Sequence, residues 1–469
     1  MPSNGHNGHA AEAVVLTQAQ VQEDLQEKHE RSRGQTFRVA VGLFSVLLVL
    51  GIIGFILRVV DGVSDTAKWG YYAAAFAFVL STAGAAPMVA IAPRIAKAHW
   101  PRPISRSAEL FSIVGLFNLL VFIPLLWVLP PLEQGRRTLW FFGSVGEPVP
   151  NYSPHIWATL AMLALVVVGV LLVWMSALPD IAALRDRLPQ GTRKQKMYAW
   201  LARGWKGTSA QWFMQKHRLG ILGAFYFAML IFLHFLISVD FLMTLVPGWI
   251  DALYPATHVA NALQGGVASV MLTMVIMRQW GGYKNEIGLD QFWGLGKLLF
   301  ALSLLWIWFF FSSFIIFWFG KKPNEVSVIE LFIKGPYLPI FYAEFVLTFF
   351  FPLVFMIWNP IRKSIWGPTI LSIAVLAGTF FGRIRMYVAS YSVADQSALH
   401  AIETVPATVM PGIADVFIVL GVIGGSILTY LLASRIIPIM SIWEKKEMLM
   451  YEVHRPLHRI HVRILGKPD

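Results

Sequence analysis

The chain has 469 residues, 57% of them hydrophobic and only 14% charged, with a mean hydropathy of +0.61. A soluble domain carries about 25% charged residues, so the composition belongs to the membrane class. The absence of cysteine removes disulfides, thiolate catalysis, Cys-bound zinc and any iron–sulfur cluster held by this chain.

Residues 1–38 are polar, carry the charged run Glu23–Arg33, and read as a tail. A helix needs roughly 20 mostly apolar residues to cross about 30 Å of hydrocarbon. Ten segments qualify: Val39–Val60, Gly70–Ile91, Ala108–Pro130, Pro154–Leu178, Leu219–Val246, Pro255–Met277, Phe292–Phe319, Leu338–Trp358, Trp366–Gly382 and Met410–Leu432. The first has no small-residue cleavage site nearby and reads as a retained helix, not a signal peptide. The loop 179–218 holds Tyr198, Trp200, Trp205 and Trp212 among Lys196, Arg203, Lys206 and Lys216. Met197, Trp200 and Leu201 share one helical face there, which predicts an interfacial helix. Arg383 and Arg385 cut the ninth segment short. In the basic C-terminal tail, 433–469, Ile442–Tyr451 is a second interfacial candidate. The expected fold class is all-α, a polytopic membrane protein with a ten-helix domain over 39–432.

An even number of crossings places both termini on one face. Lys and Arg number 28 on that face and 9 on the other, with Arg58 counted at its helix end and Lys297 inside a span. The positive-inside rule then makes both termini cytoplasmic. The net charge of +12 is therefore topological and faces anionic lipid, and nucleic acid is no expected partner.

Polar groups at membrane depth are costly and are functional candidates by default. Of twelve histidines, His234 is deep, while His155 and His258 begin spans. A di-haem cytochrome b would need four deep histidines, so that class is excluded. His234 and Ser238 share a face of the fifth span, and Asp240 lies about 120° round the helix from His234. A His and an Asp there could take the two protons that leave a quinol; the alternative is polar glue between helices. Lys297, Glu344, Arg383, Arg385 and Asp415 are the other groups at depth, all but Lys297 towards the outer face. They read either as a proton path or as helix-end ion pairs, Arg383 or Arg385 with Asp415 for instance.

Several strings together resemble the NrfD-like membrane subunits of quinone-linked oxidoreductases, the polysulfide reductase membrane-subunit family. They are Arg106-Ser-Ala-Glu109, Pro179-Asp-Ile-Ala-Ala-Leu-Arg-Asp186, Gly204-Trp-Lys-Gly207 with Trp212, and His234-Phe-Leu-Ile-Ser-Val-Asp240 with Pro247-Gly-Trp249. Leu295-Gly-Lys-Leu-Leu-Phe300, Phe311-Ser312, Trp318 and Pro323-Asn-Glu325 continue the order. In particular, the chain is similar to the two such subunits of bacterial alternative complex III.

The resemblance implies two four-helix bundles plus two peripheral helices in a bacterial cytoplasmic membrane. It implies quinone binding near the outer face (menaquinol or ubiquinol) by His234, Asp240 and Trp249, and no redox cofactor or metal of the chain's own. Implied partners are an iron–sulfur subunit, a homologous NrfD-like subunit and c-type cytochrome subunits carrying haem c. The chain also departs from the pattern. Phe122-Ile-Pro-Leu-Leu126 replaces an expected histidine, Trp157-Ala158 an aspartate, Ile250 a histidine after Pro-Gly-Trp, and Gly382-Arg-Ile384 a Glu-Arg-Phe motif. These departures favour the companion subunit, with reduced quinone chemistry. The rival readings are a secondary transporter and a purely structural scaffold.

Overall fold

Hydrocarbon offers no partners for backbone N–H and C=O groups, so long apolar runs close their hydrogen bonds internally as helices. The computed structural model describes residues 17–31, 34–130, 138–139, 155–394, 401–450, 452–457 and 460–465. The helices before the long basic loop are α1 (Gln18–Arg31), α2 (Gln35–Val60), α3 (Gly70–Thr82), α4 (Met88–Ile95), α5 (Arg102–Glu109), α6 (Val114–Phe122), α7 (Leu125–Val128) and α8 (His155–Arg187). Then follow α9 (Arg193–Leu201), α10 (Ser209–Asp240), α11 (Tyr254–Gln279), α12 (Leu289–Gly320), α13 (Pro323–Ile329), α14 (Leu338–Phe345), α15 (Phe351–Met356) and α16 (Asn359–Arg362). Last come α17 (Trp366–Tyr391), α18 (Ile413–Ile436), α19 (Ile442–Met450) and an antiparallel hairpin of β1 (Glu452–Leu457) and β2 (Ile460–Leu465). The chain is an all-α polytopic membrane protein, with that hairpin as an appendage.

Among the described residues, nine helical stretches are long and apolar enough to span a membrane. They match nine of the ten expected segments; Pro154, the expected start of the fourth, lies outside the described residues. The second segment, Gly70–Ile91, is divided between α3 and α4. Pro87 has no N–H for a continuous ladder, and Gly265 and Gly266 of α11 press against the break: a Cβ on Gly266 would lie 2.6 Å from the Ala85 carbonyl carbon. The freed Gly84 carbonyl accepts from the Tyr226 hydroxyl at 2.8 Å.

α3–α4, α5–α7, α8 and α10 pack as one bundle, and α11, α12, α14–α15 and α17 as a second. The two meet where α3 lies against α11 and α17, and where α10 lies against α11. α2 and α18 pack along each other at the periphery. Their glycines explain that contact: a Cβ on Gly51 would overlap the Gly421 backbone, and one on Gly54 or Gly424 would overlap the facing helix. Close approach through small residues is how helices associate in lipid, where no hydrophobic drive exists.

Three expectations need correction. Arg383 and Arg385 do not end the ninth helix, because α17 runs on to Tyr391 and buries both against fixed partners. The loop 179–218 is largely helical: α8 extends to Arg187 and α10 starts at Ser209, where the Thr208–Gln211 capping box satisfies its first N–H groups. α9 forms between them with Trp200 exposed, but Tyr198 is its buried residue and donates to the Ile436 carbonyl at 3.2 Å. The N-terminal tail also contains structure. α1 buries Val21 and Leu25, and Lys28 reaches Glu286 at 2.5 Å.

On the face bearing the termini, a buried charge network ties the first bundle to α19. Arg106 contacts Glu109 at 3.4 Å and Asp180 at 3.1 Å, and donates to the Ser176 carbonyl at 2.6 Å. Arg94 joins Glu109 at 2.5 Å to Glu444 at 2.9 Å. Asp180 also accepts from the Trp443 backbone N–H at 3.0 Å. α19, expected to lie on the interface, is thus docked by its acids, with Glu444 buried.

Candidate functional site

The site lies where the two bundles meet, in the half of the molecule opposite α1 and α19. α10 brings His234 from the first bundle and α11 brings His258 from the second, with Nδ1 to Nδ1 at 2.9 Å, so one ring donates and the other accepts. Both rings are buried. His258 continues outward: its Nε2 lies 3.3 Å from the Tyr387 hydroxyl of α17. One turn before Tyr387, Arg383 donates from Nε to Ser81 Oγ at 3.0 Å and from Nη2 to the His258 carbonyl at 3.4 Å. The Tyr387–His258–His234 row and the Arg383–Ser81 bond both cross the bundle interface.

A cleft opens onto this row from the second bundle. Trp249, Tyr254, His258, Arg383, Glu344 and Arg385 form its polar end. Its outer walls are Trp306, Phe310, Phe314, Phe317 and Phe332. The cleft is narrow, with a cavity volume of about 70 Å³. Flat groups enter such a slot more easily than globular ones. Trp306, Phe310 and Phe314 stack in line along α12, with centroids 5.4 and 6.5 Å apart. Trp249 packs on Tyr254 at 4.7 Å and on Phe332 at 4.9 Å. Asp251 holds the entrance: it accepts from the Leu253 and Tyr254 N–H groups at 2.8 and 3.2 Å, and from Ser313.

Of the three residues expected to hold quinone, Trp249 lines the cleft and His234 stands one ring behind it. Asp240 faces elsewhere and accepts from the Leu139 N–H at 2.7 Å. Of the five expected proton-path residues, three gather at the cleft. Arg385 donates to Glu344 at 2.8 Å and to the Phe332 carbonyl at 3.0 Å, with Arg383 close by. Asp415 does not pair with Arg383 or Arg385. It caps the first turn of α18 by accepting from the Gly412 N–H at 2.9 Å, and it takes Arg58 of α2 at 2.5 Å. Lys297 is exposed on the termini side, with its ammonium 3.9 Å from the Trp293 ring.

Gly382 resolves one departure from the family pattern. A Cβ there would lie 2.5 Å from Glu344 Oε1, so the carboxylate of α14 occupies the space that a side chain at 382 would claim. Sequence reasoning missed His258, Tyr254, Tyr387 and Asp251. His258 was counted at a span start, and only the α10–α11 contact shows that it faces His234; its place one turn inside an apolar run was the available signal.

A model of the polysulphide reductase NrfD family matches residues 59–394, which include both bundles up to the end of α17. Among curated proteins, none matches the chain.

Proposed function

Because the chain belongs to the polysulphide reductase NrfD family, we propose that it is the companion NrfD-like subunit of an alternative complex III-like quinol:electron-acceptor oxidoreductase. The chain is a membrane subunit of a quinone-linked oxidoreductase, in a family whose members work with iron–sulfur subunits. The proposal places it in a bacterial cytoplasmic membrane of a respiratory or photosynthetic chain, with both termini cytoplasmic. Haem c and iron–sulfur clusters belong to its partners.

One observation carries the reading: a narrow aromatic slot ends on a buried imidazole, with a guanidinium and a phenol beside it. A quinone ring suits that slot. A ring oxygen would take the place of the Tyr387 hydroxyl at His258 Nε2, Arg383 would favour negative charge there, and the row of aromatics along α12 would follow the apolar tail. Bound there, a quinol supplies two electrons for the partner and two protons for release. His258 can accept one proton at Nε2 while its Nδ1 stays bonded to His234. Glu344, held by Arg385, is one of the two carboxylates on the cleft wall and can pass a proton outward. The missing histidines and aspartate keep this subunit from being the main oxidation site.

Substituting His258→Gln in the intact complex and counting extracted quinone per copy tests the site. Quinone content should fall at least tenfold, while His234→Ala should lower turnover only severalfold. Unchanged quinone in His258→Gln overturns the site, and complete loss of turnover in assembled His234→Ala overturns the companion role. Mass spectrometry of the gently purified complex should find iron–sulfur and haem-c subunits, and a periplasm-only reporter fused at Asp469 should stay silent.

A further inference from the structure

A second cleft, unconnected with the first, opens on the face that bears the termini. It lies between α4 and the turn after it, the start of α10, and α19. The centres of water-sized spheres sweep about 330 Å³ here, so it is the roomier of the two. One wall is charged. Arg94, Lys97, Arg102 and Lys216 face it together with Glu444 and Glu447. The carboxylates are already committed: Glu444 to Arg94 at 2.9 Å, Glu447 to Lys216 at 2.7 Å and to Arg102 at 3.3 Å. Arg94 also holds Glu109 behind it. With Glu109 counted, one net positive charge remains, and Lys97 makes no ion pair among the described residues. Lys97 stands at the rim with φ 54°, the left-handed region that favours glycine. Arg94 Nη1 is buried with no hydrogen-bond partner among the described residues, a donor without its acceptor. Burial and the neighbouring Arg102 hold the His99 imidazole below its ordinary value, against the opposing pull of Glu447.

The opposite wall is apolar and leads into the hydrocarbon. Ile91 and Ile95 of α4 face Leu219, Gly220 and Gly223 of α10. Gly220 is exposed, and a Cβ there would meet nothing within 4 Å, so the two helices leave a shallow trough. A cationic pocket at one end and an apolar trough at the other match the two ends of a phospholipid. We propose that this cleft binds an anionic phospholipid, its phosphate on Lys97 and Arg94 and an acyl chain along Ile95 and Gly220. The single negative charge of a phosphodiester balances the charge left over, and the basic face is where anionic lipids gather. A free phosphate would use the same cations but not the trough.

The test uses the complex purified in mild detergent. Native mass spectrometry should show an anionic phospholipid retained by the wild type and reduced at least threefold by Lys97→Gln and by Gly220→Leu. Added phosphatidylglycerol should raise the melting temperature, whereas phosphatidylcholine and inorganic phosphate should not. An equal rise with inorganic phosphate would identify a soluble-anion site and overturn the lipid. Equal retention in both variants, or no response to phosphatidylglycerol, would overturn the site. If Gly220→Leu does not assemble, Lys97→Gln and the wild-type titration still decide the matter.

Discussion

Two regions of this molecule bury arginines and carboxylates at opposite ends of the same bundles, and they use them differently. On the termini side, Arg106 is wholly enclosed and bonded to Glu109, Asp180 and Ser176, while Arg94 bridges Glu109 and Glu444. The network joins α4, α5, α8 and α19, and its carboxylates are absorbed by its cations. At the other end, Arg383 is bonded to a serine and a carbonyl, Arg385 to one carboxylate, and His258 to a phenol and an imidazole, while all three line a cleft. Cations and carboxylates paired in a network hold helices together, even where Arg94 and Glu444 also reach a cleft wall. At the cleft between the bundles, Arg383 and His258 have only uncharged partners and remain available to a ligand.

The strongest way to break this contrast is Arg106→Met. It leaves Asp180 buried without its cation and Glu109 with Arg94 alone, and removing one partner of a buried pair costs about 3–5 kcal/mol. Little assembled protein should be recovered, and that protein should melt at a much lower temperature; a normal melting temperature would show that the network is not structural. Asp415→Asn should come next. It removes the charge facing Arg58, whose other carboxylate, Asp61, lies 3.9 Å away, while the amide still accepts from the Gly412 N–H; the loss is about 1–3 kcal/mol, read as a lower melting temperature. Turnover per assembled complex should not change, because Asp415 is remote from the cleft residues it was first grouped with.

At the cleft the signs should reverse. His258→Gln should cost at least a factor of ten in bound quinone, about 1.4 kcal/mol, with melting little changed. Glu344→Gln should be milder, since the amide still accepts from Arg385. Proton-coupled turnover should slow severalfold at constant melting temperature, and a fall in melting temperature with constant turnover would reassign Glu344 to the structural class.

The smallest effect concerns α1. Burial opposes the Lys28 charge, but the bonds to Asp24 and Glu286 outweigh it and lift the ammonium above its ordinary value of 10.5. For a base with a raised folded value, the stabilisation is complete below the ordinary value and is lost as pH rises through the folded one. Exchange protection in α1, taken relative to the intrinsic rate at each pH, should therefore fall only in alkali, and Lys28→Met should remove that fall. Exchange insensitive to both would show that Val21 and Leu25 alone dock the helix.

Nine of the ten spans, their approximate extent and the family were legible in the sequence, because transfer of apolar residues into hydrocarbon depends on composition over roughly 20 positions and little on neighbours. That Glu344 and Arg383 share one end of the bundles followed from position along those spans. Partners were a different matter. Periodicity says which face of a helix a residue occupies, not which helix meets that face. Hence His234 was visible while His258 was not recognised as its neighbour, and Asp415 was grouped with arginines it never meets. The glycines at 51 and 421 gain a meaning only from the α2–α18 contact, where each lets the other's backbone approach. Gly382 looked like a lost acid until α14 laid Glu344 against it. Only packing in three dimensions supplies those pairings, because it brings together residues that lie 24 to 357 positions apart, as His234 and His258, and Arg58 and Asp415, do here.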